Sequence, residues 1–125
     1  TADPEATGID IYLGIGGAPE GVLAASALRC TGGQMQTRLI IDTEELRERA
    51  LKMGIKDPKK KYHIEDMVRG DCLFAATGVT SWPMLSGVKF GKDVIETETV
   101  VMRSVTGTVR RVLAEHRQFG KFHLD

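Results

Sequence analysis

Residues 14–21 read Gly-Ile-Gly-Gly-Ala-Pro-Glu-Gly, and this stretch decides how the chain around it is interpreted. The apolar run Ile-Asp-Ile-Tyr-Leu precedes it at residues 9–13, and an alanine-rich amphipathic segment follows at residues 22–30. This order predicts a strand, a glycine turn and a helix that begins at Pro19. Glycines allow a phosphate to approach the backbone closely, and the first N–H groups of a helix have no partner within it. The stretch therefore predicts a phosphate-binding turn.

Glu20 is the unusual member of this turn, because a carboxylate repels a phosphate unless a cation lies between them. Mg²⁺ and Mn²⁺ take oxygen ligands and often join a carboxylate to a substrate phosphate. One glutamate cannot hold such a cation alone, and the nearest acidic pairs in the chain are Glu65 with Asp66 and Glu96 with Glu98. Such pairs are usually solvated. On composition alone, Glu20 also fits a plainer role, stabilising the positive end of the helix dipole.

A dinucleotide-binding domain is an alternative interpretation of the same region. Its fingerprint requires glycines in the order G-x-G-x-x-G, followed by an acidic residue after the second strand. Gly14, Gly16 and Asp42 match this pattern, but Pro19 occupies the position of the third glycine. Glu20 would also point at the pyrophosphate. A Walker A loop is excluded, since no Gly-Lys-Ser or Gly-Lys-Thr follows the turn.

The composition is that of an ordinary α/β domain of 125 residues, in which 17 basic residues balance 17 acidic ones. This balance gives no electrostatic signature of a nucleic-acid or membrane-surface protein. No apolar run approaches the roughly 20 residues that span a bilayer. Cys30 and Cys72 lie far apart in apolar contexts, which predicts two reduced thiols in a cytoplasmic protein. Thr1 stands where an initiator Met is expected, so a processed, trimmed or partial chain is predicted.

Hydrophobic periodicity predicts strands that alternate with helices along one domain. The fold class expected is layered α/β (or α+β), with a mostly parallel or mixed sheet flanked by helices and an antiparallel part near the end. Thr108 can cap a helix over residues 109–116, although a strand over the same residues stays open. The predicted strands are residues 8–15, 35–41, 72–77, 88–90 and 94–103, and the other predicted helices are residues 19–30, 43–53 and 63–68.

Five blocks of sequence carry a resemblance to a known family, and they follow one another over nearly the whole chain. The chain resembles the GlpX-type, class II fructose-1,6-bisphosphatases in these blocks. The blocks are IDIYLGIGGAPEGVLAA at residues 9–25, GGQMQTRL at 32–39, EDMVRGD at 65–71, FAATGVT at 74–80 and MRSVTGTVR at 102–110.

This resemblance implies a phosphatase, dependent on Mn²⁺ or Mg²⁺, that removes the 1-phosphate of fructose 1,6-bisphosphate in gluconeogenesis. It implies the layered fold of the inositol monophosphatase superfamily. It also implies that Glu20 is a metal ligand and that Gly17 contacts the substrate, with no further catalytic residue assigned in this chain. Related enzymes of some phototrophs also act on sedoheptulose bisphosphate, so a bifunctional enzyme is an alternative.

The resemblance also implies that the other metal carboxylates, and an Asp-Gly-Asp substrate motif, lie before the segment that this sequence contains. We therefore expect residues 1–125 to form the C-terminal domain of the phosphatase, with the N-terminal half of the same enzyme and a sugar bisphosphate as partners. A homo-oligomer is also expected. Alone, the chain is predicted to be inactive. The remaining alternative is a dinucleotide- or phosphate-binding α/β module without catalysis of its own.

Overall fold

The computed structural model describes residues 4–122, which form a layered α+β fold. The helices are α1 (Pro4–Thr7), α2 (Ala18–Thr31), α3 (Glu44–Lys52) and α4 (Ile64–Met67), and a 3₁₀ turn covers Phe119–Phe122. The strands are β1 (Gln36–Thr37), β2 (Tyr62–His63), β3 (Leu73–Thr77), β4 (Lys89–Phe90), β5 (Ile95–Arg103) and β6 (Thr108–His116). None of the helices within residues 4–122 has the length and apolar character that crossing a membrane requires.

A four-stranded antiparallel sheet is built around β5. Strands β3 and β4 pair with one edge of β5, and β6 pairs with the other edge along its full length. Strands β1 and β2 form a separate antiparallel pair. The layered α+β class is confirmed, but the expected mostly parallel sheet is wrong, since every strand pair in the described residues is antiparallel. Short connections favour this direction between β4 and β5 and between β5 and β6, whereas parallel strands need a long crossover.

Helix α2 packs on one face of this sheet and forms the main core. Val100 on β5 is fully buried there, beside the nearly buried Cys30 and Met102. A second cluster joins α2 to α4 through Ala25 and Ile64. The burial of apolar surface at these contacts is the main force that holds α2 on the sheet.

The predicted strand over residues 8–15 is wrong within the described structure. Residues 8–17 form no regular secondary structure, and no residue of this segment pairs with a strand of the described chain. Its large apolar side chains are exposed to solvent: Ile9 44%, Ile11 74%, Tyr12 76%, Leu13 84% and Ile15 88%. An apolar run has the composition of a strand, but its backbone becomes one only when a neighbouring strand accepts its hydrogen bonds.

The predicted helix over residues 109–116 is also wrong, because β6 (Thr108–His116) occupies this segment and the strand alternative is confirmed. A short turn joins β5 to β6, and Gly107 in this turn has a φ of 56°, a conformation that favours glycine. Arg103 pairs with Thr108 immediately across the turn, and Ile95 pairs with His116 at the far end. Nine residue pairs with β5 therefore stabilise this segment as a strand, although its apolar residues have helical spacing.

The remaining elements are close to their predictions. Helices α2, α3 and α4 are confirmed, and the α2 helix ends at Gly32, whose φ of 78° is left-handed. Of the predicted strand over residues 35–41, only β1 forms. Strand β3 is confirmed, but its side chains alternate between half-buried and exposed, because helix α2 covers one face of the sheet.

Candidate functional site

The glycine turn leads directly into α2, and Gly17 is the residue that caps the helix. Its backbone is extended (φ −66°, ψ 151°), no side chain caps the helix, and Pro19 lies in the first turn. The N–H of Gly21 donates to the carbonyl of Gly17 over 3.0 Å, which closes the first helical turn. The N–H groups that come before Gly21 in the helix have no acceptor within it. The start of α2 therefore presents backbone donors and the positive end of a helix dipole.

Glu20 lies against Gly17, so the fold brings the two predicted site residues together. A Cβ atom added to Gly17 would overlap the carboxylate Oε2 of Glu20 and would lie 3.2 Å from its Cδ. The carboxylate of Glu20 therefore folds back over the residue that caps the helix. A side chain at position 17 would require the exposed, flexible carboxylate of Glu20 to move aside.

The glutamate at this turn is solvent-exposed and has no described structural partner. No hydrogen bond or ion pair joins the Glu20 side chain to another residue among those that the structure describes. Within residues 4–122, no cluster of three or more His, Cys, Asp and Glu side chains could hold a metal ion. Glu20 thus offers one exposed carboxylate at the start of α2, and the described residues do not complete a metal site around it.

Of the other carboxylates that the sequence suggested, Asp66, Glu96 and Glu98 make structural contacts. Asp66 accepts the N–H of His63 over 3.0 Å and pairs with Lys60 over 2.7 Å. These contacts hold the pKa of Asp66 below its ordinary value, and the hydrogen bond from the His63 backbone has the largest effect. The side chain of Asp66 therefore caps α4, where it stabilises the first turn of that helix.

Glu98 has a similar structural role on the sheet. Its carboxylate accepts the N–H of Ser86 over 2.7 Å and lies 3.4 Å from a guanidinium nitrogen of Arg111. The Ser86 contacts, together with the weaker effect of Arg111, lower the pKa of Glu98. Glu96, two residues earlier, lies 3.7 Å from the Lys89 ammonium. No described contact joins either acidic pair to Glu20.

The far end of α2 is anchored by polar contacts that the sequence patterns do not predict. Arg29 donates from its Nε to the carbonyl of Gly70 over 3.1 Å. The side chain of Ser104 accepts the N–H of Cys72 over 2.8 Å. A cavity of about 340 Å³ lies beside these contacts and is lined by Arg29, Gly70 and Ser104 among others. These residues are far apart in the sequence, and no periodicity or motif marks them as neighbours.

The geometry also bears on the dinucleotide alternative. A dinucleotide-binding unit needs a strand before the glycine turn and a parallel strand after the helix. The described residues before the turn form no strand, and β1 pairs in the antiparallel direction with β2. The first strand–helix–strand unit of such a domain is therefore not formed by these residues.

The fold and turn together define an α+β domain that presents a glycine turn and one free carboxylate at a helix N-terminus. The profile of the family described as bacterial fructose-1,6-bisphosphatase, glpX-encoded, matches residues 1–116. The chain belongs to this family.

Curated relatives carry the same family name. A protein of Synechococcus sp. (strain JA-3-3Ab), named D-fructose 1,6-bisphosphatase class 2/sedoheptulose 1,7-bisphosphatase, is 41% identical over 92% of this chain and 37% of its own length. The protein with this name from Synechocystis sp. is 38% identical over 88% of the chain and 36% of its own length. A fructose-1,6-bisphosphatase class 2 of Haemophilus influenzae is 39% identical over 86% of the chain and 36% of its own length. The chain thus spans a little over a third of the length of these relatives.

Proposed function

We propose that this chain contributes one wall of the active site of a metal-dependent sugar-bisphosphate phosphatase. In this proposal Glu20 supplies one oxygen ligand to a divalent cation, Mn²⁺ or Mg²⁺, and the backbone at Gly17 contacts a phosphate of the substrate. The single observation that carries the proposal is the placement of the free Glu20 carboxylate over Gly17, at the exposed start of α2.

The positive end of α2 and the carboxylate have complementary tasks at this position. The N–H groups of the first turn attract an anion such as a phosphate. Glu20 would repel the same anion, and a cation between the two removes this repulsion. When bound, such a cation polarises a phosphoryl oxygen and lowers the pKa of bound water. The chain's own part is to hold the cation and to orient the phosphate against the turn.

The proposed substrate is fructose 1,6-bisphosphate, from which the 1-phosphate is hydrolysed. The names of the relatives support this substrate, and those of the two cyanobacterial proteins support sedoheptulose 1,7-bisphosphate as a second substrate. The proposal applies to an enzyme in which further polypeptide, an N-terminal half, supplies the other ligands. The exposed apolar segment at residues 8–17 supports such a partner, because large apolar patches mark interaction surfaces.

The experiment compares Glu20→Gln with Glu44→Gln in the full-length enzyme. Both glutamates lie in the first turn of a helix, so both contribute to the same helix-dipole interaction. If Glu20 only stabilises the helix dipole, both substitutions should lower the free energy of unfolding by a similar amount, about 0.3–1 kcal/mol, and neither should change turnover. A metal ligand predicts that only Glu20→Gln lowers kcat/KM at fixed Mn²⁺, by more than the roughly 100-fold that outer-shell changes reach.

The readouts are initial rates with each sugar bisphosphate across a Mn²⁺ and a Mg²⁺ titration, together with Mn²⁺ binding by calorimetry. Equal kinetics of the two variants would remove the ligand assignment. The 125-residue chain is assayed in parallel and is expected to be inactive. Turnover by this chain alone at the rate of the full-length enzyme would overturn the proposal that further polypeptide completes the site.

A further inference from the structure

The two cysteines of the chain meet where α2 crosses the start of β3, although 42 positions separate them in the sequence. The thiol of Cys30 donates to the carbonyl of Cys72 over 3.7 Å. The thiol of Cys72 donates over 3.9 Å to the carbonyl of Ser26, one helical turn before Cys30. The sulfur of Cys30 therefore lies against the backbone of Cys72, and the sulfur of Cys72 lies against the backbone of α2, the helix that carries Cys30. Both thiols are free in this structure.

The backbone around this pair is held in place from two sides. Ser104 accepts the N–H of Cys72 through its hydroxyl over 2.8 Å, and its own N–H donates to the Cys72 carbonyl over 2.9 Å. Arg29, next to Cys30 on α2, binds the carbonyl of Gly70. The Ser104 contacts fix the backbone of Cys72, and the Arg29 contact links α2 to the segment just before β3. The two cysteines are therefore neighbours on segments that hydrogen bonds hold in place.

The two thiols differ in how easily they react. Cys30 is 3% exposed, and burial, followed by the neighbouring Cys72, raises the pKa of its thiol. Arg29 acts in the opposite direction and favours the thiolate of Cys30. Cys72 is only partly buried and is the more accessible of the two. Since accessible thiolates react first, Cys72 is the attacking residue and Cys30 is the resolving residue.

We propose that Cys30 and Cys72 form a reversible disulfide that ties the C-terminal end of α2 to the start of β3. The oxidant is a low-molecular-weight disulfide such as oxidised glutathione. The Cys72 thiolate attacks one sulfur of this disulfide, which forms a mixed disulfide and releases the first small thiol. The Cys30 thiolate then attacks the sulfur of Cys72 and releases the second. Two protein thiols are oxidised and one small disulfide is reduced to two thiols.

The bond would act on the glycine turn through the helix. Bonded sulfurs lie about 2 Å apart, closer than any non-covalent contact, so the reaction draws α2 towards residue 72. Glu20 is on the same helix, ten residues before Cys30, at a distance of roughly 15 Å along the axis. A shift at one end of a helix is transmitted to its other end, so oxidation repositions the Glu20 carboxylate. This consequence for activity rests on the function proposed above; the disulfide itself does not.

The test equilibrates the full-length enzyme in buffers of oxidised and reduced glutathione, blocks the remaining thiols by alkylation and measures the intact mass and the peptide map. The expected result is a loss of two hydrogen atoms and a peptide pair cross-linked through Cys30 and Cys72, both reversed by dithiothreitol. Two unmodified thiols under oxidising buffer would overturn the proposal. A stable glutathione adduct on Cys72 with Cys30 still open to alkylation would also overturn it.

Variants separate the bond from its effect. Cys72→Ala is expected to abolish the cross-link, and Cys30→Ala to leave a glutathione adduct on Cys72. If Cys30→Ala fails to fold, Cys72→Ala alone still tests the pairing. Oxidation is expected to change sugar-bisphosphatase activity several-fold in the wild type but not in Cys72→Ala. If the disulfide forms and the activity stays unchanged, the proposed effect on Glu20 is overturned. An enzyme inactive on every sugar bisphosphate would contradict the proposed function, while the mass measurement would still decide the disulfide.

Discussion

The exposed segment at residues 8–17 gives a quantitative prediction about the substitution Leu13→Ala. Leu13 is 84% exposed in the chain, so about a sixth of its surface is buried. Burying a whole leucine side chain contributes about 1.5–3 kcal/mol, so the chain alone should lose no more than about 0.5 kcal/mol. If further polypeptide covers this segment in the full-length enzyme, the same substitution should cost about 2–5 kcal/mol there, the range for leucines in cores.

Val100→Ala serves as the control, because Val100 is fully buried within the chain itself. The loss of two buried carbons, at about 0.8 kcal/mol each, and of their packing predicts about 2–3 kcal/mol in either context. Urea unfolding gives the free energy of unfolding from the transition midpoint and its slope. If Leu13→Ala costs less than about 0.5 kcal/mol in the full-length enzyme while Val100→Ala costs about 2 kcal/mol or more, the reasoning is refuted, because residues 8–17 would then be exposed in both.

Two further predictions concern contacts away from the glycine turn. The hydroxyl of Thr43 accepts the N–H of Leu46 over 3.2 Å, so Thr43→Ala should lower the free energy of unfolding by about 1 kcal/mol, with Thr43→Ser as the control that keeps the hydroxyl. A thermal melt that shows equal midpoints for both variants would contradict this cap. Glu98 has a folded-state pKa below its ordinary value of 4.5, so its carboxylate stabilises the fold above that value and the contribution is lost as the pH falls through the folded-state pKa. Unfolding measured across this acid range should therefore be less pH-dependent in Glu98→Gln than in the wild type, and parallel pH curves would disprove the contribution.

Helices α2 and α3 were predictable because their signals are local. Pro19 and Gly32 mark the ends of α2, and Thr43 caps α3 through a residue three positions away. The fold class was predictable at the level of layered helices and sheets. The direction of the strands was not, since it depends on which strands become neighbours. Alternating β- and α-type patterns suggested a parallel sheet, yet all described pairs are antiparallel.

Residues 109–116 show why periodicity alone fails at short lengths. Val109, Val112 and Leu113 have helical spacing, but two of the three are β-branched residues, which fit strands well. The Gly107 turn brings β6 beside β5, and nine residue pairs then form between the two strands. These pairs stabilise β6 as a strand, and the spacing of apolar residues within residues 109–116 does not reveal them. The segment at residues 8–15 shows the converse case, in which a sequence suited to a strand has no neighbour with which to pair.

The candidate site was predictable in part for the same reason. Gly17 and Glu20 are three positions apart, so the turn alone brings the carboxylate over the glycine. The contacts near the other end of α2 join Arg29 to Gly70 and, beside the helix, Cys72 to Ser104, and each pair is more than 30 positions apart. No short motif encodes such pairs, because they arise only when the whole sheet has formed.

The two halves of α2 have different surroundings, and this difference bears on how the glycine turn works. Ala25 and Cys30 are buried against the sheet and α4, whereas Val22 is 41% and Leu23 58% exposed. The C-terminal half of α2 is therefore packed against the rest of the fold, whereas its N-terminal half, which carries the glycine turn, is exposed. Along the chain, the turn at residues 14–21 is flanked by exposed apolar side chains on both sides, within residues 9–13 before it and at residues 22–23 after it. A polypeptide that covers this surface would remove water from around Glu20 as well. Since charges interact more strongly where water is excluded, burial of this apolar surface would strengthen the attraction of the carboxylate for a cation.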